Sequence, residues 1–145
     1  MESVTARVDN LKNNLNQRRP PCLETLNSQV LAIDLEQQTA TLSFDIPLAF
    51  CHSGNIVQGG FVTAMLDAAC SHAVFSAGRE VTTVSTLEIK VSFLQPSRAG
   101  KFQCIGKITR IGGSIAFMVG ELFDESGVLT ATATTTAKLI KPRTD

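Results

Sequence analysis

One stretch restricts what this chain can fold into more than any other: "NIVQGGFVTAMLDAACSHAVF", residues 55–75. From Gly60 to Ala77 the only ionisable side chains, thiols aside, are Asp67 and His72. A helix that is apolar nearly all round has no face suited to water, so the rest of the chain has to enclose it. The glycine pair Gly59-Gly60 suits a turn before the helix, and Gly78 suits its stop.

The remaining sequence supplies an enclosing layer in strands. "VLAIDLEQQTATLSFDI" places Leu31, Ile33 and Leu35 on one face, then Ala40, Leu42, Phe44 and Ile46 on one face. The polar "EQQT" between them predicts a hairpin. "PLAFCHSGNIVQGG" reads as a loop. Beyond the helix, "TLEIKVSFLQP" alternates, which predicts Leu87, Ile89, Val91 and Phe93 inward and Thr86, Glu88, Lys90 and Ser92 outward, with Pro96 as the end. Three further extended stretches follow, separated by the turn signals "RIGGS" and "DESG". Ahead of all this, Val4, Val8, Leu11 and Leu15 recur at helical spacing until Pro20-Pro21.

The predicted order is a terminal helix, two strands, one long apolar helix and four strands. That is an α+β architecture: a curved antiparallel sheet wrapped around a central helix, because strands twist and curl about what they bury. Residues 22–145 form this domain and residues 1–21 an amino-terminal helical arm. A chain of 145 residues has room for one such core and little else.

Composition narrows the partners. Lys+Arg and Asp+Glu both number 13, and this balance speaks against a general nucleic-acid binder, which needs excess cations to face phosphates. Cys22, Cys51, Cys70 and Cys104 lie far apart with no CxxC and only two histidines in the chain, so no metal site is expected. Reduced thiols, no signal-peptide pattern and no apolar run of spanning length lead to the expectation of a cytoplasmic protein without a membrane partner.

The aspartate is then the anomaly. Thr63, Asp67 and Ser71 are four apart, so a narrow polar stripe crosses an apolar helix. Asp67 is either tied up by hydroxyls or a distant arginine, or it faces a cleft as a base or nucleophile. The glycine turn favours the second account, since free N–H groups at a helix start suit an oxygen that gains negative charge. No Gly-Lys-Ser/Thr follows, which excludes a P-loop, and no GxSxG elbow exists for a Ser-His-Asp hydrolase.

"GNIVQGGFVTAMLDAA", with "TLEIKVSFLQP" and the closing strands, resembles the hotdog-fold acyl-CoA thioesterases of the PaaI-like (phenylacetate-degradation) branch of the 4-hydroxybenzoyl-CoA thioesterase superfamily. In that family a His-Gly-Gly opens the central helix, and an acidic residue nine positions after the histidine is catalytic. The resemblance implies that Asp67 is the base or nucleophile, that the Gly59 N–H polarises the thioester carbonyl, and that Thr86 orients the water. It places Gln58 where the family has histidine, followed by Gly60, and leaves His52 or Asn55 for an upstream polar position near the substrate. It implies no metal and no cofactor other than the coenzyme A of the substrate.

Geometry adds a further expectation. Gly59 and Asp67 are eight residues apart, about 12 Å along a helix, too far for one thioester carbon to meet both in one chain. A homodimer with antiparallel central helices, alone or as a dimer of dimers, would join the two halves. Two other functions compete: a hotdog hydratase or dehydratase pairing His52 with Asp67, and a non-catalytic acyl-CoA-binding module. His72, five residues after Asp67, lies on another helix face and reads as a packed or solvated histidine rather than a partner of Asp67. Arg98, Lys101 and Arg110 border turns, where they are either solvated charge or contacts for coenzyme A phosphates.

Overall fold

The computed structural model describes residues 1–144. In chain order the elements are α1 (Val4–Gln17), α2 (Pro21–Thr25), β1 (Gln29–Asp34), β2 (Thr39–Ile46), β3 (Cys51–Ser53), β4 (Ile56–Val57), α3 (Gly59–Ala73), β5 (Thr83–Phe93), β6 (Gly100–Ile111), β7 (Ile115–Asp124) and β8 (Leu129–Ile140). Six strands form one antiparallel sheet in the order β1-β2-β6-β7-β8-β5. The sheet curls around α3, which is the hotdog arrangement expected from the sequence. The loop before α3 is less irregular than expected, since β3 and β4 pair as a small ribbon.

The helix and sheet meet through small residues. Gly106 of β6 pairs with Gly120 of β7 directly beneath α3. A Cβ on Gly106 would lie 2.1 Å from the Ala69 carbonyl oxygen, so only glycine lets the helix backbone rest there. Val62, Met65, Leu66, Ala69, Cys70 and Ala73 of α3 are buried against Leu42, Phe44, Cys104, Met118, Leu122 and Ala137 of the sheet. Burying such a row of apolar side chains contributes roughly 1.5–3 kcal/mol per larger residue. By length and composition alone the 19 residues Gly59–Ala77 would also cross a bilayer, contrary to the expectation that no run is long enough. In this fold the apolar side chains face the sheet instead.

Enclosure is incomplete. The opposite face of α3, with Thr63, Ala64, Asp67, Ala68 and Ser71, is only half-buried. The helix ends as expected: a short 3-10 turn, Val74–Ala77, runs into Gly78 at φ +70°.

Two strands depart from simple alternation, each at a bulge. In β1 the register with β2 shifts between Val30 and Ala32, so Val30 and Ile33 are buried while Leu31 is 42% exposed. In β5 the register with β8 shifts between Thr86 and Glu88, leaving Leu87 as the extra residue and 59% exposed. The shift inverts the phase of the strand. Val84 and Thr86 share the inner face before it, and Ile89 and Val91 take that face after it. Thr86 therefore points at α3, where alternation alone predicted that it points outward.

The terminal helix lies against the outer edge of β1. The Asn16 side chain accepts from the Val30 N–H at 2.8 Å and donates to the Val30 carbonyl at 3.1 Å, as a neighbouring strand would. Arg19 donates to the Ser28 carbonyl. These bonds cover an edge that otherwise invites another chain.

Candidate active site

Asp67 stands on the ninth residue of α3, half-buried in the seam between that helix and β5. Thr86 Oγ1 donates to Asp67 Oδ1 at 2.7 Å. That is the one hydrogen bond the carboxylate takes among the described residues, and it fixes the rotation of the group while leaving Oδ2 for another partner. The β5 bulge is what aims Thr86 inward, so a local irregularity builds half of the pair. The stripe is not a network: Thr63 Oγ1 turns back to the Gly59 carbonyl at 2.9 Å. The Asp67 charge is felt nearby, since burial first and this carboxylate second push the Cys70 thiol up to about 12.

At the helix start Gln58 is the N-cap, and its Oε1 accepts from the Gly60 N–H at 2.8 Å. The cap consumes the Gly60 donor and occupies the Gln58 side chain. The Gly59 N–H, one residue earlier, has no hydrogen-bond partner among the described residues, as expected of a first-turn amide. A Cβ on Gly59 would press on the Phe93 ring at 3.3 Å. The opening is therefore a narrow slot under an aromatic ring, a feature sequence reading missed. The alternation of β5 placed Phe93 inward without showing that it reaches Gly59.

His52 shares a cavity of about 400 Å³ with Gly59, Val62, Phe93 and Leu94. It is exposed, and its Nδ1 lies 2.7 Å from Ser53 Oγ. Asn55 is not part of that cavity: its Oδ1 accepts from Arg98 at 2.7 Å. Of the two upstream candidates, His52 lines the cavity at the glycine turn, and the Asn55 side chain is engaged by Arg98. Asp67 does not line this cavity.

The other cations fare differently. Lys101 faces Asp45 across the β2–β6 ladder and lines an outer groove with Asp124 and Glu125, where three carboxylates oppose phosphate binding. Arg110 is an exposed residue at a β6 bulge. His72 is packed edge-on against Phe75, and its Nδ1 lies 2.8 Å from the Ala68 carbonyl oxygen. A carbonyl only accepts, so Nδ1 carries the proton, and burial lowers the pKa of the ring. No cluster of His, Cys, Asp and Glu able to hold a metal ion occurs among the described residues.

The curled sheet around one helix is the fold of the hotdog thioester hydrolases, and comparisons with known proteins place this chain among them. The chain belongs to the thioesterase superfamily, whose family model matches residues 54–131, more than half of the sequence. A phenylacetic acid degradation-related protein from Ralstonia eutropha JMP134 has a crystal structure that superposes with a TM-score of 0.78 at 30% identity, over 88% of this chain and 98% of that one. The PaaI protein of the E. coli phenylacetic acid degradation operon shares the fold at a TM-score of 0.77 and 15% identity, over 89% and 91% of the two chains. A protein of Saccharolobus solfataricus described as an esterase is 29% identical over 104 residues, 72% of this chain and 74% of its own.

Proposed function

We propose that the protein hydrolyses an acyl-CoA thioester to the free acid and coenzyme A, with Asp67 as general base or nucleophile. The observation that carries this is the Thr86–Asp67 hydrogen bond: it presents a half-buried carboxylate in a fixed orientation beside an accessible seam. As base, Asp67 takes a proton from water held by the Thr86 hydroxyl while the oxygen of that water attacks the thioester carbon. The carbonyl oxygen gains charge that the Gly59 N–H and the helix dipole stabilise. On collapse the C–S bond breaks, and the proton passes from Asp67 to the departing thiolate. As nucleophile, Asp67 would attack the thioester carbon and expel the coenzyme A thiolate, leaving a mixed anhydride that water then hydrolyses to the free acid, with the water's proton going to the thiolate. Neither route calls for a group other than the coenzyme A of the substrate.

The site is composite in this reading. Gly59 and Asp67 lie about 12 Å apart along α3, and the cavity at Gly59 excludes Asp67. Thr63, Ala64, Asp67, Ala68 and Ser71 on the half-buried face of α3 are small side chains, which allow a second helix to approach closely. Beside it, β5 is a free sheet edge with Leu87, Phe93 and Leu94 exposed. A two-fold partner would cover all of these and set its Gly59 against Asp67.

The test is thiol release from a panel of acyl-CoA thioesters beside an enoyl-CoA hydration assay. Release without hydration is expected. Hydration abolished by His52→Ala would replace this reading with the hydratase. Composite sites are tested by mixing Asp67→Asn with Gly59→Pro, which deletes the N–H. Each variant must first be shown to fold. Heterodimers should recover up to about half of the activity by symmetry, and none recovered would make the site intramolecular.

A further inference from the structure

A second cavity of about 540 Å³ opens where α1 crosses the end of α3. Its interior is made by the half-buried Leu11 and Leu15 of α1, Ser71, His72 and Phe75 at the end of α3, and Val84 of β5. The exposed Asn14, Arg18, Thr82 and Thr83 form a polar rim. A mostly apolar interior with a few polar groups at the edge is the general form of a small-molecule site, and the volume falls in that range.

The cavity begins where the Thr86–Asp67 pair ends. Ser71 is one helical turn beyond Asp67 on the same face. Val84 is two residues before Thr86, and their β8 partners, Leu139 and Ala137, are both buried on the inner face. Helix and strand thus run together from the pair into the cavity. Phe75 stands eight residues past Asp67, a depth of about 12 Å. There α1 closes the end, anchored to the β1 edge by the Asn16–Val30 bonds. Leu11 and Leu15 form the last wall.

We infer that this cavity takes the acyl group, and that α1 is its end wall, with Leu11 and Leu15 setting the longest acyl group accepted. The inference rests on Asp67 acting on a thioester. The α1 helix lies outside residues 54–131, the part that the superfamily model matches. The substrates it selects are apolar acyl groups reaching no further than about 12 Å past the carboxylate. Longer chains meet α1.

The experiment is a length profile of kcat/KM for straight-chain acyl-CoAs from acetyl to palmitoyl. The proteins compared are wild type, Leu11→Ala, Leu15→Ala and Leu15→Phe, each checked for folding by thermal melting. Wild type should show a cut-off. The two alanine variants should raise kcat/KM for the first rejected length relative to acetyl by about tenfold or more, the usual worth of a methylene or more in an apolar pocket. Leu15→Phe should move the cut-off to shorter chains. If the alanine variants fail to fold, Leu15→Phe alone decides. A wild type that cleaves thioesters with no cut-off, or folded variants with the wild-type profile, would overturn the end-wall role and leave the thioesterase reading intact. A wild type that cleaves no thioester would overturn both.

Discussion

The two long helices solve opposite problems. α3 has six buried residues, and its backbone lies in contact with the sheet at Gly106. α1 has no fully buried residue and is held at one end by the side chains of Asn16 and Arg19. The carboxylate sits on the helix that the core fixes in place, and the proposed end wall of the acyl cavity sits on the helix that has no fully buried residue. Chemistry tolerates little misplacement, whereas acyl selection needs only a surface at the right depth.

The largest expected effect breaks the fixed element at its reacting group. Asp67→Asn keeps the shape and removes the charge, so thiol release should fall by roughly 10²–10⁴ with an unchanged melting curve. Near wild-type turnover would return the aspartate to a structural part tied to Thr86. Next comes the position of α3 itself. Gly106→Ala puts a methyl group into the Ala69 carbonyl, and overpacking of this kind costs about 1–3 kcal/mol. Denaturant melts should record that loss, and a neutral result would mean that the helix rides higher on the sheet than it does here.

A smaller effect is expected at the movable element. Asn16→Ala removes two hydrogen bonds to Val30, which contribute about 0.5–1.5 kcal/mol each. The loss should appear as faster amide exchange at the β1 edge, with α3 amides unaffected. Equal acceleration in both would show that the two helices are not independent.

The smallest concerns His72, which α3 presents to the cleft under α1. Burial lowers its folded-state pKa below the ordinary 6.5. The unfolded chain therefore binds the proton more readily, so stability is full above about pH 6.5 and declines as pH falls toward the folded-state value. His72→Gln should flatten the pH dependence of Tm in that window. A variant with the wild-type slope would assign the decline to other groups.

Legibility followed the same division. The wrapped helix, the succession of long strands along the chain and the presence of Asp67 on that helix were readable because burial writes a pattern directly into the sequence, and a carboxylate in an apolar run stands out. Thr86 was reached only through the family resemblance, since alternation placed it outward. Leu31 and Leu87 were misplaced for one reason: a bulge has no strong signal in a β-branched, apolar strand, and one extra residue inverts every side chain beyond it. Gln58 and Gly60 came from the motif alone, and only the structure shows that the side chain of the first caps the N–H of the second.

By itself, the sequence determined that an apolar helix with one carboxylate would be enclosed by strands, because local hydrophobic pattern and turn chemistry depend on neighbours along the chain. Tertiary structure alone decided the rest. The bulge that turns Thr86 to Asp67 is fixed by the β8 register. The ring over Gly59 comes from a strand 34 positions away. The place of α1 depends on an asparagine meeting a strand edge. Each is a pairing between distant segments, whose energy exists only once the sheet has closed around the helix.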